Sequence, residues 1–372
     1  MIAPLLLVLS ALPLALSEVN QAPYERKNAP CTTKSIRKSW NNLTVTEKQD
    51  YLDADLCLMS LPPKAGIEGA KSRWDELQYA HAAQARYIHG VGAFLPFHRY
   101  FVTVHDHLLR AECNYTGPLP YWDEPVDVGN ISASSLFNGE PSFGGNGTGP
   151  NNCIADGPFA NVTLRISENL TTTEYCISRF LNDRALAGGA RPIIDNCLQQ
   201  ANYTGIWKCL EGSPHGAGHG GVSGTMMNVQ LSPGDPIFYL HHGYLDRVWW
   251  DWQTRNLSAR LFEVAGNNTP SGNGGFGFPP DAGFNFTGPP PFGGGNFTGP
   301  PFFGGGGGGG GGGGFNFTTP PVNRAIEDYF YDGGNATTLN HTLWSAGIVE
   351  NVTIADVMDA EGGFVCGDYQ LK

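Results

Sequence analysis

Nine of the ten histidines in this 372-residue chain fall in two short windows, and no other feature constrains the fold as tightly. The first window holds His81, His89 and His98, with His105 and His107 behind; the second holds His215, His219, His241 and His242. His215 and His219 are four residues apart, so a helix projects both imidazoles from one face about one turn apart. Gly90 and Gly92 follow His89, and Pro96 opens the segment of His98. His89 therefore ends one helix and His98 starts the next, and the turn between them can aim both inward beside His81. Imidazole-only sites suit copper, zinc or iron, and neutral ligands keep both copper oxidation states accessible. Gly216 stands where an HExxH zinc hydrolase needs its glutamate, so that reading is disfavoured.

Helical patterns surround these windows. The text reads as helical from Asn28 to about Pro62, with Ser35–Trp40 followed by Thr46-Glu47-Lys48 capping a run through Tyr51, Leu52 and Leu56. Residues 74–90 hold strong helix formers without proline or internal glycine. A further helix runs from Pro96 to Glu112, with Phe97, Phe101, Val104 and Leu108 on one stripe, and another from Asp235-Pro236 to about Trp252. Residues 125–160, rich in Gly, Asn, Ser and Pro, read as loop. From Gly266 to Pro321 the chain repeats FNFTGPP-like units and carries an unbroken glycine run, Gly304–Gly314. That composition buries too little side chain to offset the entropy of ordering, so we expect a disordered, glycosylated insertion without a catalytic role. Globular sequence resumes at Val322 and ends in a strand-like run, Asn351–Asp359.

Acidic residues outnumber basic ones 34 to 22, a net charge of -12 that disfavours nucleic acid and anionic lipid as partners. Residues 1–17 form a short apolar run ending in Ala15-Leu16-Ser17, which reads as a signal peptide cleaved after Ser17. No second apolar run approaches membrane length, so a soluble, secreted product is expected. Sequons recur along the chain, including those at Asn42, Asn114, Asn130, Asn161, Asn169, Asn202, Asn256 and Asn351, and suit a surface that accepts N-glycans. The eight cysteines form no CxxC pair, which fits disulfides better than zinc and leaves their connectivity open. Nothing in the pattern sets an oligomeric state.

The letters around the histidines carry more. His89-x4-Phe94-Leu95-Pro96-Phe97-His98-Arg99 and Asp235-Pro236-Ile237-Phe238-Tyr239-Leu240-His241-His242-x3-Asp246-Arg247 closely resemble the two copper signatures of the tyrosinase and catechol oxidase family, especially its short secreted fungal members. The likeness extends more weakly to Trp40–Leu58, to Pro120-Tyr121-Trp122-Asp123 and to the chain end. It implies a mainly α fold: a four-helix-bundle core holding a dicopper centre, with long loops and little strand. It implies His81, His89 and His98 on the first copper and His215, His219 and His242 on the second. Asp246 resembles a carboxylate that orients a ligand imidazole, with a plain helix salt bridge as the alternative. His241 is left out because it lies about 100° around the helix from His242. His105, His107 and His341 have no motif support and read as surface or packing residues.

By motif position Val229 resembles a gate residue above the first copper. Glu211 stands where the family's phenol hydroxylators carry a glutamate, four residues before the first ligand of the second copper. Their companion asparagine is Gly216 here. The resemblance thus implies oxidation of o-diphenols to o-quinones with O2, with weak or no hydroxylation of monophenols. A full tyrosinase, or a reversible O2 binder of haemocyanin type, are the alternatives. Two departures stand out: Asp106 replaces a usual glutamate, and Glu124 follows Asp123 where tryptophan is usual. Ala85 and Tyr87 occupy the places of a thioether-forming cysteine, so no thioether is expected. The expected division is residues 1–17 as leader, 18–265 as copper domain, 266–321 as insertion and 322–372 as a C-terminal segment packed on the catalytic domain.

Overall fold

The computed structural model describes residues 31–270 and 330–370, apart from 32, 331 and 333; the expected leader and most of the glycine-rich segment lie outside the described residues. Thr44 opens the first long helix, α1 (Val45–Ser60): its side chain accepts the Glu47 N–H while the Glu47 carboxylate accepts the Thr44 N–H. Ser72 and Asp75 repeat this reciprocal cap at α2 (Arg73–Ala82). The helix expected over 74–90 is interrupted. Gln84 leaves helical geometry and its amide donates to the carbonyls of Ala80 and Trp344, after which a short α3 (Ala85–Ile88) delivers His89 in extended conformation. Then comes α4 (Phe94–Cys113), ended by the left-handed Asn114.

Short helices α5 (Asp183–Leu186) and α6 (Arg191–Leu198) lead into α7 (Tyr203–Val222), which Asn202 caps through the Gly205 N–H. This helix tolerates an internal Pro214 and six glycines because close packing replaces propensity. A side chain at Gly220 would press on Ala185, and one at Gly221 on Leu186. The last long helix, α8 (Ile237–Thr254), follows Asp235, whose carboxylate accepts the Ile237 N–H and two N–H groups of buried Arg179. Helices α4, α7 and α8 pack on one another. The fourth side belongs to α2, fastened by Trp74 to the Gly234 carbonyl and by Gln78 to the Leu231 carbonyl. Four disulfides, Cys31–Cys366, Cys57–Cys113, Cys153–Cys176 and Cys197–Cys209, take up every cysteine, so none is left for a thioether.

Three expectations are corrected here. Ser35–Ser39 is the central strand of a three-stranded parallel sheet, between Leu119–Tyr121 and Gly367–Tyr369, and is not helical. Its inward residues are Arg37 and Ser39, so polar groups occupy the buried face and the apolar alternation of a strand is absent from the sequence. The run 351–359 is a two-residue strand, Val352–Thr353, followed by a helical turn, Ile354–Val357. The C-terminal residues Leu343, Ile354, Val357, Met358, Val365 and Tyr369 belong to the main core. Gly266–Pro270, assigned above to the insertion, is ordered: Thr337 N–H donates to the Gly266 carbonyl (2.8 Å) and Asn268 N–H to the Asn335 carbonyl (3.1 Å).

These layers meet at one buried carboxylate. Asp246 of α8 accepts Arg99 Nε of α4, Arg37 Nη1 of the central strand (2.8 Å) and the Tyr369 hydroxyl of the C-terminal strand. Arg99 also donates to the carbonyls of Val357 and Met358 and to Gln253, and its guanidinium lies 3.8 Å from the Trp249 ring centre. Removing the carboxylate charge leaves two guanidiniums buried without a counter-ion. We therefore predict that Asp246→Asn destabilises the metal-free chain by about 3–5 kcal/mol in denaturant unfolding; an unchanged midpoint would show that the knot is dispensable.

Candidate metal centre

Helix α2 carries His81 in its last turn, the extended residue after α3 is His89, and α4 carries His98 in its first turn. The ring centres lie 5.2 Å (His81–His89), 5.7 Å (His81–His98) and 5.1 Å (His89–His98) apart. On the facing pair, α7 presents His215 and His219 with ring centres 4.5 Å apart, and α8 presents His242 at 5.3 and 5.5 Å from them. His98 and His242 stack at 4.0 Å with ring planes 8° apart, so the two groups adjoin. Within each group the ligand-capable atoms lie within 4.8 Å of one another; the second group also includes His241. Phe94 and Phe238 wall the space: Phe94 lies 4.7 Å from His98 and 4.8 Å from His215, and Phe238 lies 5.1 Å from His81 and 4.3 Å from His242.

Local geometry sets which nitrogen faces inward. Nδ1 of His81 lies 3.1 Å from the Gln230 carbonyl, that of His89 2.9 Å from Ala85, and that of His98 2.8 Å from Phe94. His215 Nδ1 meets the Glu211 carbonyl (3.3 Å) and His219 Nδ1 the Met226 carbonyl. A carbonyl only accepts, so each Nδ1 carries the proton and each Nε2 keeps its lone pair for a metal. Burial pushes His89 down to about 4. Burial, and then the neighbouring histidines, push His81, His98, His215, His219 and His242 well below the usual imidazole range. Neutral imidazoles converging in a dry pocket are the donor set that fits copper. The Nε2 atoms of His81 and His98 are buried with no hydrogen-bond partner among the described residues, which a bound ion would satisfy.

Of the further residues singled out in the sequence, Glu211 is buried on α7, one turn before His215, and is no solvated loop carboxylate. It accepts the Gly90 N–H (2.6 Å) and the Trp207 indole N–H (2.6 Å), bracing the backbone beside His89. Burial raises it to about 7, against the lowering effect of these two bonds. Val229 lines a small cavity with His89, His215, His219, Met226 and Met227. Asp246 holds no imidazole: its oxygens are occupied by Arg37, Arg99 and Tyr369, so its orienting role is corrected to that of a structural anchor. Asp106 pairs with Arg110 (2.8 Å). His105 is a core residue paired with Asp55 (2.8 Å) and stacked 3.8 Å over Tyr239, and His341 is buried on Asp332; neither is at the surface. Sequence reasoning missed Glu124, which is buried and bonded to His241 Nδ1. Its one sequence signal was the departure from the family's tryptophan.

Two adjoining groups of neutral imidazoles inside a helical bundle are each able to hold a metal ion, the mark of a binuclear metal protein. The comparisons agree: the model of the common central domain of tyrosinase matches residues 71–255. Tyrosinase ustQ of Aspergillus flavus is 30% identical over 353 residues, covering 91% of this chain and 80% of that one. Tyrosinase-like protein phomQ2 of Diaporthe leptostromiformis is 32% identical over 263 residues, covering 67% and 66% respectively. A solved polyphenol oxidase from Thermothelomyces thermophila shares the fold with a TM-score of 0.69 at 24% identity, over 90% of this chain and 88% of that one. The chain belongs to the tyrosinase family; it is an oxidoreductase of the tyrosinase type, whose cofactor is a type 3 pair of coppers.

The two donors to Glu211 hold its ionised form, so losing one moves its titration upward. Trp207→Phe is expected to raise the Glu211 pKa above about 7, read from the carboxyl resonance of labelled glutamate; a fall or no change would refute the bond's role.

Proposed function

We propose that this chain oxidises o-diphenols to o-quinones with O2, with monophenol hydroxylation weak or absent. The observation that supports it is the meeting of the two histidine trios at the His98–His242 stack. In this reading His81, His89 and His98 hold the first copper, and His215, His219 and His242 the second. The metal pair supplies the redox chemistry: two diphenols give up four electrons and four protons, and one O2 leaves as two waters. The protein's residues fix the ligands, exclude water and admit a flat ring. Half-buried Val229 borders the cavity over His89, His215 and His219.

Glu211 bears on the second activity. A monophenol must lose its proton before it can be hydroxylated, and a carboxylate of pKa about 7 can accept a proton as pH rises through that value. Both of its oxygens are already engaged by Gly90 and Trp207, and Gly216 brings no side-chain amide to hold a water beside it. That combination supports diphenol over monophenol turnover. Full tyrosinase activity is the second reading, favoured by the name of the Aspergillus flavus relative.

Export completes the proposal. The asparagines of the sequons named above are exposed, and four disulfides suit an oxidising compartment. Among the described residues no helix is long and apolar enough to cross a membrane. We read those asparagines as N-glycan acceptors and the product as secreted.

Oxygen uptake by the copper-loaded chain on paired substrates tests the function. A catechol should be consumed at least about tenfold faster than its monophenol, which should show a lag, as expected when one base-positioning group is missing. Equal rates without a lag would refute it. Gly216→Asn should narrow the ratio; an unchanged ratio would separate Gly216 from the selectivity.

A further inference from the structure

Away from the histidines, the strand Thr163–Ile166 and the ends of α1 and α2 line a surface cavity of about 280 Å³ that takes no part in the metal site. We propose that this cavity seats a sugar: the first N-acetylglucosamine of a glycan on Asn161, folded back onto the protein. The proposal rests on the reading of the sequons as N-glycan acceptors and gives one of those glycans a place in the fold.

The tether is the first argument. Asn161 is exposed and lines the cavity, and so does Thr163, the third residue of its sequon Asn161-Val162-Thr163. None of the other asparagines named above lines it. The Val162 N–H donates to the Phe159 carbonyl (3.1 Å), so Asn161 sits in a turn directly before the strand. A sugar on its amide starts at the cavity rim, where a short tether holds it at an effective concentration on the order of millimolar. Contacts too weak to capture a free sugar then suffice.

The walls supply the second argument. An N-acetylglucosamine offers an apolar ring face and a methyl group beside its hydroxyls and amide. Leu56 and Met59, three residues apart on α1, are half-buried and both line the cavity. On the strand, alternation turns Leu164 and Ile166 toward the core and leaves Thr163 and Arg165 outward. Arg165 has donor capacity to spare. It donates to the Thr163 carbonyl (3.1 Å), while the Asp75 and Glu174 carboxylates stand at 3.8 and 4.0 Å, beyond hydrogen-bond length. The Ser60 hydroxyl, which donates to the Cys57 carbonyl (2.8 Å), can still accept. Sugar oxygens can take the remaining guanidinium N–H groups while the apolar ring face covers Leu56 and Met59.

Third, the cavity is built before any sugar arrives. Cys57–Cys113 pins α1 to the end of α4, and Ser72 with Asp75 locks the first turn of α2. The strand is paired with Thr172–Cys176, itself held by Cys153–Cys176. A preformed seat adds little ordering cost to binding.

The copper-loaded chain, secreted from a eukaryotic host, is digested in its native state with an endoglycosidase, and each asparagine is followed by peptide mass spectrometry. Release from Asn161 should be about tenfold slower than from Asn42 or Asn351, as a docked-to-free ratio of about ten requires. Denaturation should abolish the difference. Arg165→Ala and Met59→Ala, which remove a donor and an apolar wall, should each speed release from Asn161 and leave Asn42 unchanged. Thermal melting separates sugar contacts from plain packing. Arg165→Ala should lower the midpoint of the glycosylated chain and spare it in a Thr163→Val background, where the sequon is gone. Release from Asn161 as fast as from the other sites, or an equal Arg165→Ala cost in both backgrounds, would overturn the proposal. An Asn161 left bare while other sequons carry glycans overturns it too, with the acceptor reading still standing. A secreted chain bare at every sequon overturns both.

Discussion

The arrangement of this protein depends on one carboxylate that faces three segments far apart in the chain. Asp246 lies one helical turn beyond His242 on α8, and its partner Arg99 directly follows His98 on α4. The ion pair therefore fixes the register of the two helices whose histidines stack between the trios. Arg37 and Tyr369 bring both chain ends to the same point, and Cys31–Cys366 closes them covalently. A buried pair of this kind gives little net stability against an apolar replacement, but losing one partner is costly. Its value lies in specifying a single relative placement of the helices, which a metal pair sharing one substrate requires.

Against that framework the metal residues are held in a deliberately unsatisfied state. Burial keeps the imidazoles neutral, backbone carbonyls accept from their Nδ1 atoms, and the inward nitrogens of His81 and His98 have no hydrogen-bond partner among the described residues. Such atoms destabilise the metal-free chain, and metal binding returns that free energy to the fold. Helix α7 shows the same trade. Its glycines lower intrinsic helicity, yet Gly218 lets the Glu124–His241 pair come within reach of His219.

How much of this could be read from the letters follows from the physics of each part. The histidine windows were legible because spacing on a helix translates directly into a shared face, and the proline and glycines around His89 and His98 marked the turn. The interruption at Gln84 was not legible, since its amide bonds to Trp344, some 260 residues away. The strand Ser35–Ser39 was misread because its buried face is polar, and only Asp246 and its neighbours make that burial tolerable. Asp246 stood out in the motif with two readings, an imidazole partner or a salt bridge; an acid one turn from His242 can face either way, and the arginines across from it decide for the salt bridge. Glu124 was visible only as a departure from a pattern. The pairing that gives it meaning is made in space.

The bridge between Asn267 and Ala336, with its flanking bonds from Gly266 to Thr337 and Asn268 to Asn335, clasps the chain where the glycine-rich text leaves and rejoins the described fold. The Gly92 N–H also donates to the Asn267 carbonyl (3.0 Å), so the clasp braces, from outside the helices, the turn that separates His89 from His98.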